Sequence, residues 1–149
     1  MIVGAGPVRR PFALFRANLS GQWLVGEDFR DANLGEANLS GANLYIANLN
    51  SADLRVADLR DAELIDADLS VAKLRGADPR GADLIGAKLS HADVYNADLR
   101  GADLREADLS DIKHLTQEQL DQACGNADTK LPEGLTLKAM CRPPKLQAD

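Results

Sequence analysis

From Ala32 to Asp111 the chain reads ANLGE-ANLSG-ANLYI-ANLNS-ADLRV-ADLRD-AELID-ADLSV-AKLRG-ADPRG-ADLIG-AKLSH-ADVYN-ADLRG-ADLRE-ADLSD, an in-phase repetition of A-[D/N]-L-x-x. Leu or a stand-in recurs every fifth residue from Leu34 to Leu109, with Ala two residues before it. In an α-helix five residues turn the chain by about 500°, so successive Leu would move about 140° around the axis and form no apolar stripe. A long strand fails as well, because its period of two drifts out of phase with five. Within one unit, however, Ala and Leu point the same way and the Asn or Asp between them points opposite. The last two residues must then turn the chain. Short strand and turn in alternation describe a coil lined inside by Ala and Leu.

The outward positions give the number of sides. Sorted by twenty, the residue after each Leu forms the columns Ser20, Ser40, Arg60, Arg80, Arg100 and Arg30, Asn50, Ser70, Ser90, Ser110. A third column is Val25, Tyr45, Ile65, Ile85, Arg105, and Gly21, Gly41, Gly81 and Gly101 recur at the same interval with Asp61 interrupting. Like stacks on like, as neighbouring rungs of a parallel ladder favour. Four sides of five residues make one coil, so the expected fold is all-β: a quadrilateral parallel β-helix of about five coils, closed by a short C-terminal α-helix. At about 4.8 Å per rung the rod is about 24 Å long. The tandem A-[D/N]-L-x-x motif resembles the pentapeptide repeat family, and that resemblance implies a right-handed coil. The strict repeat covers 80 of the 149 residues.

Composition agrees with a solenoid. Apolar residues make up 45% of the chain but aromatic ones only 4%, so burial must come in small repeated portions. The formal charge of -6 argues against direct nucleic-acid binding through phosphates. No run of apolar residues is long enough to span a membrane. The basic residues Arg9 and Arg10 follow a short apolar stretch, the wrong order for a signal peptide, which points to the cytoplasm. Cys124 and Cys141 fit neither a zinc site nor a disulfide framework, and they pair only if the tail folds back over the helix.

In chain order, residues 1–11 read as an irregular lead-in and 12–31 as a distorted first coil. Gln22 and Glu27 stand there at inward positions, and Phe12, Phe15 or Trp23 is expected to fold over the end as a plug. The regular coils are 32–111. Pro79 replaces an inward Leu and lacks the N–H that would join the ladder, which predicts a local defect. Lys73 and Lys88 interrupt columns of stacked Asp and relieve their repulsion. The phase slips at Ile112, and Thr116 with Gln119 fits a capping box, which starts a helix over about 117–123 in a cap spanning 112–141. Leu115 and Leu120 would cover the last coil, and residues 142–149 form a tail expected to be disordered.

No catalytic constellation appears. His91 and His114 lack the spacing of a metal site, and none of the motifs G-x-G-x-x-G, G-K-[ST] or G-x-S-x-G is present, so the expectation is no enzyme, no cofactor and no metal. Function then rests on surfaces. The outward column Val25, Tyr45, Ile65 and Ile85 is a candidate interaction stripe for a protein partner. The family resemblance adds a homodimer through the C-terminal cap, where Leu115 and Leu120 lie. It also implies the alternative of a DNA mimic that binds DNA gyrase, in keeping with 15 Asp and Glu against 8 Lys and Arg over residues 32–111, a net of -7.

Overall fold

The computed structural model describes residues 13–141. Parallel bridges join each residue at the centre of a side to the one twenty residues later, as in Asn33 to Asp53 and Asp53 to Lys73. Four such columns, led by Ala13, Asn18, Trp23 and Asp28, give the coil four sides. The unit Ala52-Asp53-Leu54-Arg55-Val56 explains why five residues suffice. The Asp53 N–H donates back to Ala32 O at 2.9 Å, while Leu54 N–H donates forward to Lys73 O at 2.8 Å and Val56 N–H to Arg75 O at 3.0 Å. The Ala52 N–H closes the preceding turn onto Leu49 O at 3.0 Å. The remaining donor, Arg55 N–H, goes to the Asp53 side chain at 3.1 Å. All five backbone donors of this unit are therefore satisfied, and Asn or Asp is favoured at its second position because a short side-chain acceptor reaches the amide two residues on. The fifth position lies at positive φ, as at Val56 (60°) and Gly81 (68°), the conformation a type II turn needs at its third residue.

Every inward position from Ala32 to Leu109 is buried. Each turn of the tube thus adds a layer of Ala and Leu that is covered only when the next layer stacks on it. Pro79 is buried with them, and its missing N–H leaves its mark. Within the coils, among the described residues, the rung Asp78 to Asp98 is the one without a bridge. A void of about 20 Å³ inside the tube borders Leu59, Leu74, Pro79, Leu84, Val94 and Leu99. The defect stays local, since Gly81 N–H still reaches Arg100 O at 2.9 Å.

The first coil departs from expectation. Its backbone is regular, with Ala13, Asn18, Trp23 and Asp28 all bridged to the coil above. Gln22 is exposed and Glu27 half-buried, because no described coil lies beneath them and the tube opens there. Phe29 fills its inward position completely. Phe15 and Trp23 are no plug: each occupies an outward position and is 50% and 72% exposed, respectively. Phe12, the lead-in and the tail after Cys141 lie outside the described residues.

At the other end, α1 spans Gln117–Asp121, shorter than expected, with Thr116 and Gln119 exchanging both bonds of the capping box. Leu120 is fully buried over the last coil and Leu115 is half-buried. The Gln119 amide donates to Val94 O at 2.8 Å and Ala97 O at 3.0 Å, which satisfies carbonyls that a further coil would otherwise take. The ladder then resumes out of phase, Cys124 on Asp103 and Lys130 on Asp108. The tail does fold back: Gly125 N–H donates to Ala139 O at 3.1 Å and Cys141 N–H to Gly125 O at 3.0 Å, and Cys124 and Cys141 form a disulfide with their Cα atoms 4.8 Å apart. Spacing alone did not indicate that pairing. The cap itself brings the two thiols together.

Candidate interaction surface

The four sides differ in how they treat the outward carboxylate. Where Arg follows two residues after Asp, its guanidinium turns back onto that carboxylate, at 2.7 Å in Asp28–Arg30, 2.6 Å in Asp53–Arg55, 2.7 Å in Asp58–Arg60 and 2.7 Å in Asp78–Arg80. Asp98–Arg100 and Asp103–Arg105 repeat the arrangement. The hydrogen bond to Arg is the main cause holding Asp28, Asp53, Asp58, Asp78 and Asp98 below the ordinary carboxylate range, against the opposing effect of partial burial. Arg60, Arg80 and Arg100 are therefore clasped to their own units and do not form the free basic stripe that the column alone suggests. At Asp108 it is the Ser110 hydroxyl that donates to the carboxylate, at 2.6 Å. Lys73 and Lys88 sit in the ladder between the aspartates of Asp53–Asp93 and Asp68–Asp108.

The third side, built on the column Trp23, Asn43, Glu63, Asp83 and Asp103, departs from this rule until its last member, Asp103, which Arg105 clasps. Val25, Tyr45, Ile65 and Ile85 follow those residues, so they lie on one side in four successive coils. Val25, Ile65 and Ile85 are half-buried against their stacked neighbours and Tyr45 is exposed. Two residues that the single column missed extend the patch. Trp23 flanks Val25, and Ile46, 50% exposed, flanks Tyr45. Ile46 lies along the coil below, its side chain where a Cβ on Gly26 would meet it at 3.9 Å. Sorting the second and fifth positions of the repeat by twenty would have found both. Beyond this apolar end, Glu63 and Asp66 are exposed and Asp83 is half-buried. Asp83 is pushed above the usual carboxylate range, first by burial and then by repulsion from Asp103 and Glu63, against the bond it accepts from Ile85 N–H.

A second concavity lies between the last coil and α1, lined by Tyr95, Asp98, Arg100, His114, Glu118 and Gln119. His114 Nδ1 is 2.8 Å from Asp93 Oδ1, and its ring meets Tyr95 edge-on at 5.8 Å. The Arg75 guanidinium covers the other ring at 4.6 Å from the Tyr95 centroid. The Thr116 hydroxyl in this groove accepts from Gln119 N–H in the helix cap at 3.1 Å, so it is engaged structurally. Elsewhere, Asp103 approaches both cysteines, but the sulfurs bind each other and cannot act as thiolate ligands. The structure does not bring His91 and His114 to one site: the first stands at a turn and the second contacts Asp93.

Residues 14–45, 37–76, 62–101 and 82–113 match the profile described as pentapeptide repeats, in 8 copies. No curated protein sequence matches the chain. Among solved structures, a pentapeptide repeat protein from the Arabidopsis thaliana thylakoid lumen is 33% identical, with a TM-score of 0.65 over 85% of this chain and 90% of that one. HetL, a pentapeptide repeat protein involved in heterocyst differentiation regulation in the cyanobacterium Nostoc sp. strain PCC 7120, is 31% identical with a TM-score of 0.62. That match covers 85% of this chain, which spans only 60% of HetL. QnrB1, a plasmid-mediated fluoroquinolone resistance protein, shares the fold at 17% identity and a TM-score of 0.56, over 78% of this chain and 69% of that one. With a repeated profile running from Leu14 to Lys113 and a tube of the same architecture, the chain belongs to the pentapeptide repeat family.

Proposed function

We propose that this chain is a non-catalytic protein-interaction module that engages a partner through its third side. The observation that carries the reading is the outward patch of Trp23, Val25, Tyr45, Ile46, Ile65 and Ile85, which runs through four successive coils, whereas Phe15, Val56, Val71 and Tyr95 are exposed elsewhere among clasped charges and hydroxyls. Six Asp carboxylates are already held by Arg, which counts against the DNA-mimic alternative, because a mimic must offer free negative charge to a gyrase surface shaped for phosphates. Burial of Leu120 likewise favours the side of the rod over its capped end as the contact. The Cys124–Cys141 disulfide supports an oxidising compartment over the cytoplasm, where thiols are kept reduced. Among the described residues no helix is long and apolar enough to cross a membrane.

The test is capture of partners from the native host with the wild-type chain and with the double variant Tyr45→Asp, Ile46→Ser. A partner retained by the first and lost by the second supports the reading. Equal capture by both would move the contact elsewhere, and light scattering on the wild type reports whether a second copy is the partner.

A further inference from the structure

Taking the docking side as above, we propose that its partner is a polypeptide segment lying along the rod, with apolar side chains at one end and Lys or Arg at the other. Row by row, the side changes chemistry. Its first two coils present Trp23 and Val25, then Tyr45 and Ile46. The next two present Glu63, Ile65 and Asp66, then Asp83 and Ile85. Because Ile65 and Ile85 occupy the positions where Arg stands on other sides, Glu63 and Asp83 have no clasping cation. Among the described residues neither of them, nor Asp66, enters an ion pair. Arg105, the cation at the next rung, clasps Asp103 at 2.6 Å and reaches Asp83 only through space, without an ion-pair contact.

The Asp66 carboxylate lies against Gly86, in the space a Cβ there would take, and adds a third negative group within two rungs. Two rungs of carboxylates at about 4.8 Å each and two of apolar side chains extend over roughly 14 Å, the length of about three turns of helix. The aromatic end supplies desolvated area, and the acidic end fixes the direction of the segment and speeds its encounter. On a second copy of this chain, Arg60, Arg80 and Arg100 are already bound to Asp and would have to be released to serve as those cations.

Trp23 is the sole Trp of the chain and stands within the patch, so its emission reports occupancy directly. The full chain is titrated with a synthetic amphipathic helical peptide of Leu and Lys, and with its counterpart in which Glu replaces Lys. The expected result is a shift of Trp23 emission and binding about tenfold tighter for the Lys peptide, a preference that shrinks as salt rises. The variant Glu63→Gln, Asp83→Asn should erase the preference, whereas Asp31→Asn, Asp111→Asn, with the same change of charge on the adjacent side, should keep it. Equal binding of both peptides that is lost in Tyr45→Ala, Ile46→Ser would overturn the cationic partner and leave the docking side standing. No perturbation of Trp23 by either peptide, or a preference unchanged by Glu63→Gln, Asp83→Asn, would overturn the proposal; the first result would count against the docking side as well.

Discussion

At the scale of the residue, the fifth position of each unit carries a cost that depends on who occupies it. Val56 is held at φ 60° and Val71 at 62°, a region that L side chains enter at a cost of about 1–2 kcal/mol and that β-branched ones tolerate least. Glycine removes that strain and gives back about 0.5–1 kcal/mol in unfolded-state entropy. Val56 is also 61% exposed, so little packing is lost with it. Val56→Gly should therefore stabilise the chain by roughly 0.5–1 kcal/mol, read as a higher urea midpoint, and a lower midpoint would refute the strain argument. The second position supports a different prediction. Asp83 titrates above its unfolded value because burial and two like charges disfavour its ionised form. Its protonation thus favours the fold, and at neutral pH its charge costs stability that is recovered as pH falls through the raised pKa. Asp83→Asn keeps the acceptor for Ile85 N–H, now 3.2 Å away, while removing the charge. It should raise the melting temperature at pH 7 by the equivalent of a few tenths to about 1 kcal/mol, and the gain should vanish in acid. A gain that persists at low pH would assign the effect to something other than charge.

At the scale of the element, one unit, one side and one rung each do separate work. In the clasps of Asp28, Asp53, Asp58, Asp78 and Asp98 the carboxylates are depressed below their unfolded value of about 3.9. Their contribution is therefore complete above that pH and is lost as pH falls through the lower folded values. The pairs are exposed and individually weak. Their number should nonetheless leave the urea midpoint flat from about pH 7 to 5 and make it fall below about pH 4, and a decline already evident at pH 5 would point to other groups. Pro79 acts at the rung. Pro79→Leu restores the N–H missing between Asp78 and Asp98 and fills the void beside Val94, so it should raise the melting temperature; no change would mean that the ladder absorbs the gap without loss. That defect was legible in the sequence because proline is a backbone rule. So was the coil, since Ala, Asn or Asp, and Leu at a spacing of five admit one solution. The distortion expected of the first coil was not, because inward Gln22 and Glu27 are costly only inside a closed tube, and they lie at its open end. Trp23 and Ile46 escaped for another reason. Trp23 stands where the unit otherwise carries Asn or Asp and Ile46 at a turn position of no fixed polarity, so a stripe sought down one column stops short of the patch.

At the scale of the whole molecule, the tube is one-dimensional, and its stability is a sum of layers plus the treatment of its two ends. Each coil buries Ala and Leu only against its neighbours, so an end without a cover loses burial and exposes strand edges. The C-terminal end is covered by α1 through Leu120 and by a returning tail that pairs with Gly125 and is fastened by Cys124–Cys141. The tail is further held by Leu131, Leu135 and Leu137, which are partly buried, by Thr136, which exchanges two hydrogen bonds with the Gln117 side chain at 2.7 and 3.1 Å, and by Lys138 on Asp121 at 3.3 Å. A cross-link closing a loop of this size is worth about 3 kcal/mol in the chain-entropy account. Reduction should confine that loss to the end of the rod, because the cap pairs with the last coil alone, Cys124 on Asp103 and Lys130 on Asp108. Under a thiol reductant, trypsin should cut at Lys130 and Lys138 at least tenfold faster while the coils from Ala13 to Ile112 stay intact, and Cys141→Ser should behave the same without reductant. If cleavage of the tail and unfolding of the coils instead accelerate together, the cap and the tube form one cooperative unit, and the latch holds the whole rod and not only its end.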